Sequence, residues 1–156
     1  MNLVDTATGK RINGRISKLS KSELRNLRGS EAFYFDWSLE VANEVYAIYR
    51  TKNDELLGLV SLTDVSNELR IHINLIESAI EQQGRKKKVD GIPGCLIGFT
   101  CRMAFQRGYD GFVSLIPKTE LIDYYHREFG FLRMGASMVI YQETAQSIIQ
   151  NYMQDE

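Results

Sequence analysis

The chain has 156 residues, 44% apolar and 25% charged, with 19 lysines and arginines against 20 aspartates and glutamates. That apolar share with almost no net charge excludes a disordered chain, and the length fills one core rather than two ordinary domains. No run approaches the ~18 apolar residues of a membrane span, and the polar start from Met1 to Lys10 lacks the apolar stretch of a secretory signal. A single domain over residues 1–156, in the cytoplasm, is expected.

The N-terminal stretch is weakly patterned, with Asn13-Gly14 reading as a turn. Ser20 and Glu23 form a capping-box pair for a short helix over 21–28 that Gly29 stops. Phe33 to Trp37 alternates aromatic with acidic residues and predicts a strand. Three further strands follow at short spacing: Val45–Thr51, Leu56–Thr63 and Leu69–Leu75, joined by turns at 52–55 and 65–68. The last alternates apolar and polar without a break, so one of its faces is buried. Together they predict an antiparallel meander.

Beyond the polar stretch 81–90 the period changes. Pro93–Arg107 is apolar on most of its circumference, a buried helix with Pro93 at its start and Gly108 at its stop. Gly111–Ile116 reads as a buried strand. A helix over about 120–129 presents Leu121, Tyr125 and Phe129 on one stripe, with Thr119 as its cap and Gly130 as its stop. Residues 138–141 form another strand, and residues 145–153 an amphipathic helix. The order predicts an α+β fold with a mostly antiparallel mixed sheet flanked by helices.

Cys95 and Cys101 lie six apart on one helix, on different faces, and do not pair. With no CxxC and two histidines, no metal or redox site is expected. The even charge balance argues against nucleic-acid binding. Arg85 to Lys88 is a concentrated run of positive charge two residues before Gly91-Ile92-Pro93-Gly94. A helix N-terminus carries free N–H groups and the positive end of the macrodipole, so a basic, glycine-containing loop ahead of it suits a diphosphate. The same run also reads as a solvated loop. The Walker A and GxGxxG patterns are absent.

These residues resemble the GNAT superfamily of acyl-CoA N-acyltransferases over about 31–153. The likeness rests on Leu75-Ile76-Glu77-Ser78-Ala79 at a strand end, on Lys88 to Gly94 with the helix after it, on Arg107 to Ser114, on Lys118-Thr119-Glu120-Leu121-Ile122, and on Tyr125 to Phe131. The sequence is most similar to a small bacterial branch. The resemblance implies an acetyl-CoA cofactor and transfer of its acyl group to a primary amine, of a small molecule or a peptide. It implies no nucleic-acid or membrane partner, and it leaves a homodimer open.

The resemblance also assigns roles. Backbone groups near Leu75 and Ile76 hold the acyl carbonyl. Lys88, Val89, Gly91, Ile92, Gly94 and Cys95 bind the cofactor through the loop and first helical turn, where Pro93 removes one N–H of the family's pattern. Lys118 contacts the cofactor arm. Tyr125 is the acid for the leaving thiolate, with His126 as the alternative one residue on, and Glu77 is the base. Each has a plainer reading: Tyr125 as core, Glu77 as a solvated strand end, Lys118 as a helix-entry lysine. The competing function is a non-catalytic CoA-binding or protein-interaction module of the same fold.

Overall fold

A computed structural model describes residues 1–154. In chain order the strands are β1 (Leu3–Asp5), β2 (Arg11–Ile12), β3 (Gly14–Lys18), β4 (Glu44–Arg50), β5 (Glu55–Val65), β6 (Arg70–Ser78), β7 (Val89–Asp90), β8 (Val113–Leu115), β9 (Leu132–Met134) and β10 (Ser137–Ile140). The helices are α1 (Lys21–Arg25), α2 (Ile92–Gln106), α3 (Ile122–Phe129) and α4 (Gln142–Tyr152). A seven-stranded mixed sheet runs β3-β4-β5-β6-β8-β10-β9, and a three-stranded one β2-β1-β7. Every pairing in the large sheet is antiparallel except β6 with β8. The predicted α+β class with its meander, β4-β5-β6, is what the chain forms.

The sheet buries a different core on each face. One face packs Ile48, Val60, Leu62, Ile71 and Ile73 against α2 and α4, through Cys95, Leu96, Cys101, Ile148 and Met153. The other packs Val45, Ala47 and Leu59 under Leu24 of α1 and under Phe33 and Trp37. α2 is buried nearly all round, as its sequence predicts. Its far end is held by Arg107, whose guanidinium bonds Glu44 of β4 and Asp64 of β5.

Two irregularities of β6 position the functional site. First, β5 pairs Leu62 with Ile73 and Ser61 with Leu75, so Asn74 has no counterpart. This β-bulge shifts the side-chain parity by one for every later residue. Leu75 and Glu77 turn to the Leu59 face, and Ile76 turns back to the α2 face. Second, the β6–β8 pairing covers only Ile71–Ile73 with Val113–Leu115. β6 runs on to Ser78 with no strand on that edge, and the two strands part.

Several sequence expectations need correction. Phe33–Trp37 is not a strand: its residues form turns leading into a 3-10 helix at Trp37–Glu40, capped by Asp36, whose carboxylate accepts from Ser38 N at 3.1 Å. Asn13-Gly14 does not form the expected turn: Asn13 is a break between β2 and β3, and Gly14 begins β3. β1, β2, β3 and β9 are too short or too polar to carry a readable period. Thr119 begins a 3-10 turn, Thr119–Leu121, but Lys118 occupies the cap position and no side chain caps it.

The loop before α2 is fixed by β1. β7 pairs with it, and Thr6 donates to the carbonyls of Lys88 and Lys87. Gly91 caps α2 in the left-handed region at φ 96°, and a Cβ there would overlap the Asn2 carbonyl oxygen. Gly91→Ala therefore combines strain with a backbone clash and is expected to cost about 2–3 kcal/mol, read by urea denaturation.

Candidate active site

Where β6 and β8 part, a cleft of about 270 Å³ opens. Ile73, Leu75, Ile76, Leu115, Ile116 and Pro117 form its walls, and Leu121 and Tyr125 of the following helix, Lys118 and Phe35 complete it. Asn74, Lys118 and Tyr125 supply its polar side chains, and none of the residues lining it is a carboxylate or an imidazole. The open edge of β6 adds backbone donors. Ala79 N donates to Leu57 O, so by ladder alternation the N–H of Glu77 points to β5 and that of Ile76 to the cleft. The Lys118 ammonium lies 5.4 Å from the Phe35 ring centroid, a cation–π contact between two residues of the cleft wall.

Tyr125 and Glu77 are not brought together. Tyr125 lines the cleft, its ring held edge-on by Tyr124 and Phe131 and tilted against Phe129. Burial raises its pKa above the ordinary phenol value, so the hydroxyl keeps its proton at neutral pH. The neighbouring His126 is exposed and its Nδ1 lies 2.9 Å from the Phe131 carbonyl, which fixes Nδ1 as the donor.

Glu77 is 7% exposed and lies on the opposite face. Its carboxylate accepts from Tyr34 N at 2.8 Å, from Phe35 N at 3.4 Å and from Trp37 Nε1 at 2.9 Å. The base role expected for Glu77 is corrected on this ground. The carboxylate is walled from the cleft and engaged by three donors, so it pins the aromatic segment 33–37, including the cleft residue Phe35. Unbroken alternation would have placed Glu77 with Ile73, and the bulge at Asn74 decides otherwise.

The loop before α2 departs from its sequence reading in two ways. The N–H groups of Lys88 and Val89 both donate to Gln82 Oε1, at 3.0 and 2.9 Å, and are not free for a ligand. Cys95 N closes the first helical bond to the Gly91 carbonyl. Its side chain is fully buried, with Sγ 3.6 Å from the Tyr152 carbonyl. Burial pushes the thiol up to about 11, the reverse of the lowered pKa a first-turn cysteine can have, so Cys95 is an enclosed, protonated thiol at neutral pH. Gly91, Ile92 and Gly94 remain as the N-terminal N–H groups of α2, with Pro93 contributing none. Gly94 lies under the Tyr152 ring of α4, which a Cβ there would overlap. Lys86 and Lys88 are exposed beside this terminus, while Lys87 pairs with Asp90 at 2.8 Å. The free amides and the lysines suit an anionic group, and the apolar cleft suits an uncharged one.

Phe35 in the cleft wall and Trp37 behind it lie in a segment that the sequence reads as a strand, and Gln82 at the loop before α2 carries no sequence signal. Their hydrogen-bond partners lie 6 to 42 positions away, and no local period registers such contacts.

Outside the cleft, His72 Nδ1 lies 2.8 Å from Ser114 Oγ and 3.2 Å from Arg70 Nη1. Burial and the Arg70 charge lower its pKa from the ordinary 6.5. Below that value the unfolded chain binds a proton that the folded one resists, so stability is lost as pH falls through 6.5. Thermal melts from pH 7.5 to 5 should show the loss, and His72→Gln should flatten it.

Among solved structures, nourseothricin acetyltransferase matches at TM-score 0.60, with 15% identity over 81% of this chain and 97% of that one. Spermidine/spermine N-acetyltransferase SpeG from Vibrio cholerae also matches at 0.60, with 19% identity over 86% and 95%. The chain has the GNAT acetyltransferase fold. AtaT, solved with acetyl-methionyl-tRNAfMet, shares this GNAT fold at TM-score 0.59, with 10% identity over 88% and 99%. No protein-family model matches the sequence, and no curated protein does. Within the GNAT fold the parting of β6 and β8 and the turn into α2 are where the residues described above converge. No helix among the described residues is long and apolar enough to cross a membrane.

Proposed function

We propose that the protein is an acyl-CoA-dependent N-acyltransferase, transferring an acetyl group to a primary amine. The observation that carries this reading is the cleft at the β6–β8 parting, walled by apolar side chains, with Ile76 N–H on one side and a protonated Tyr125 at its edge. The shared fold with acetyltransferases supports acyl transfer in general.

Bound acetyl-CoA would supply an activated thioester carbonyl and a thiolate leaving group. The chain's residues would do the rest. Gly91, Ile92 and Gly94 N–H, with Lys86 and Lys88, would hold the diphosphate at the positive end of α2. Leu75, Ile76 and Ile116 would exclude water from the arm. Ile76 N–H would stabilise the carbonyl oxygen as negative charge develops on it. The Tyr125 hydroxyl would give its proton to the departing sulfur. Lys118 would contact the arm at the mouth. With no carboxylate in the cleft, the amine would enter unprotonated or lose its proton to water.

The acceptor side is apolar. Phe35, Ile116 and Leu121 in the cleft wall are exposed large hydrophobics, and so is Tyr34 beside Phe35, a grouping that marks a binding surface. An amine with an apolar body fits it. Calorimetry is expected to show acetyl-CoA binding in the micromolar range, and an amine panel should show turnover greatest for acceptors with apolar side chains. Failure of acetyl-CoA and longer acyl-CoAs to bind would retire the reading in favour of a non-catalytic module.

A further inference from the structure

Gln82 ends the 3-10 turn Ile80–Gln82 that follows β6 and is 4% exposed. Its carboxamide oxygen receives the N–H of both Lys88 and Val89. Two converging donors fix which end of the amide is oxygen, and they place Nε2 beside the same loop. Nε2 is buried with no hydrogen-bond partner. Buried donors are almost always paired, and an orphan at a ligand loop calls for an explanation.

The loop supplies one. Gln82 withdraws two backbone N–H groups that the loop would otherwise present, and Pro93 has none to present. Three backbone donors are left at the start of α2, and among the described residues the one buried side-chain donor without an acceptor is on the residue that consumed the others.

We propose that Gln82 is a ligand-binding residue of this loop: its oxygen holds the N–H groups of Lys88 and Val89, and its Nε2 donates to an oxygen of a bound diphosphate. The inference rests on the reading that the α2 N-terminus receives the diphosphate of CoA. Gln82 then exchanges two neutral backbone donors for one side-chain donor and keeps the loop shaped when no anion is bound.

Gln82→Glu separates the two roles. At pH 8 the introduced carboxylate still accepts from both N–H groups, so the melting temperature holds, while the donor becomes a negative acceptor. Calorimetry with CoA and with inorganic pyrophosphate is expected to show affinity for each falling roughly 10- to 100-fold. Gln82→Met, which removes both functions, should lower affinity and melting temperature together. In wild-type protein the Gln82 side-chain NH2 pair in a ¹⁵N–¹H spectrum should shift on adding pyrophosphate, a readout that needs no variant to fold.

Unchanged affinity in Gln82→Glu, or an NH2 pair that does not move while the ligand binds, overturns the inference and leaves the acyltransferase reading standing. Pyrophosphate binding that is lost in Gln82→Glu, in a protein that never binds acetyl-CoA, upholds Gln82 and overturns the enzyme. A wild-type protein that binds neither probe overturns both.

Discussion

Glu77→Ala is expected to lower stability by about 3 kcal/mol, a fall in melting temperature of about 6–12 °C for a chain of this size. The physical reason is the donor set left behind. Tyr34 N, Phe35 N and Trp37 Nε1 would lose their acceptor inside a core built from Phe33, Trp37, Leu59 and Ala79. A buried donor without a partner carries the full cost of its lost hydration. Glu77→Gln should lose less, since one amide oxygen still accepts, but its NH2 would face at least one of the same donors. The emission of Trp37, the single tryptophan, reports the event directly: it should shift to the red as the segment detaches. Denaturant titrations followed by this signal check both variants. A variant that loses activity with unchanged melting temperature and unchanged emission would return Glu77 to the role of base.

The second large effect concerns chemistry rather than stability. Tyr125→Phe should lower kcat by about 10²- to 10⁴-fold, the usual worth of a positioned general acid, with KM for acetyl-CoA nearly unchanged. The ring remains, so its contacts with Tyr124, Phe129 and Phe131 remain, and the melting temperature should move little. His126→Gln should leave kcat within about twofold, because that side chain is tied to the Phe131 carbonyl and does not line the cleft. Steady-state rates with any amine that gives turnover test both, and comparable rates in wild type and Tyr125→Phe would remove Tyr125 from the mechanism.

Glu77 and Tyr125 differ in how legible they were. Tyr125 sits on a helix whose stripe is local, so a period of 3–4 residues places Tyr125 and Phe129 together and the fold keeps them so. Glu77 sits on a strand, where one extra residue reverses every side chain beyond it. Nothing in Leu69–Leu75 announces the bulge, because its alternation is unbroken in sequence. Asn74 is left unpaired by the register of β5 against β6, which is settled by packing on both faces at once. The aromatic run 33–37 failed as a strand for a related reason. Its conformation is set by the Asp36 cap and by a carboxylate 40 to 43 positions away.

The sequence by itself determined the order of β4, β5, β6, α2, β8, α3, β10 and α4, the buried character of α2, and the collection of positive charge ahead of a glycine-containing helix start. Each follows from contacts within a few residues: period, caps, and left-handed positions at Gly91 and Gly130 that favour glycine. Only the tertiary structure decided which side of the sheet Glu77 faces, that β6 and β8 part beyond Ile73 and Leu115, and that Gln82 takes the N–H groups of Lys88 and Val89. These are matters of pairing between segments far apart in the chain or across a folded loop. They are fixed when two faces must be buried and every enclosed polar group must find a partner, conditions that no single stretch of sequence contains.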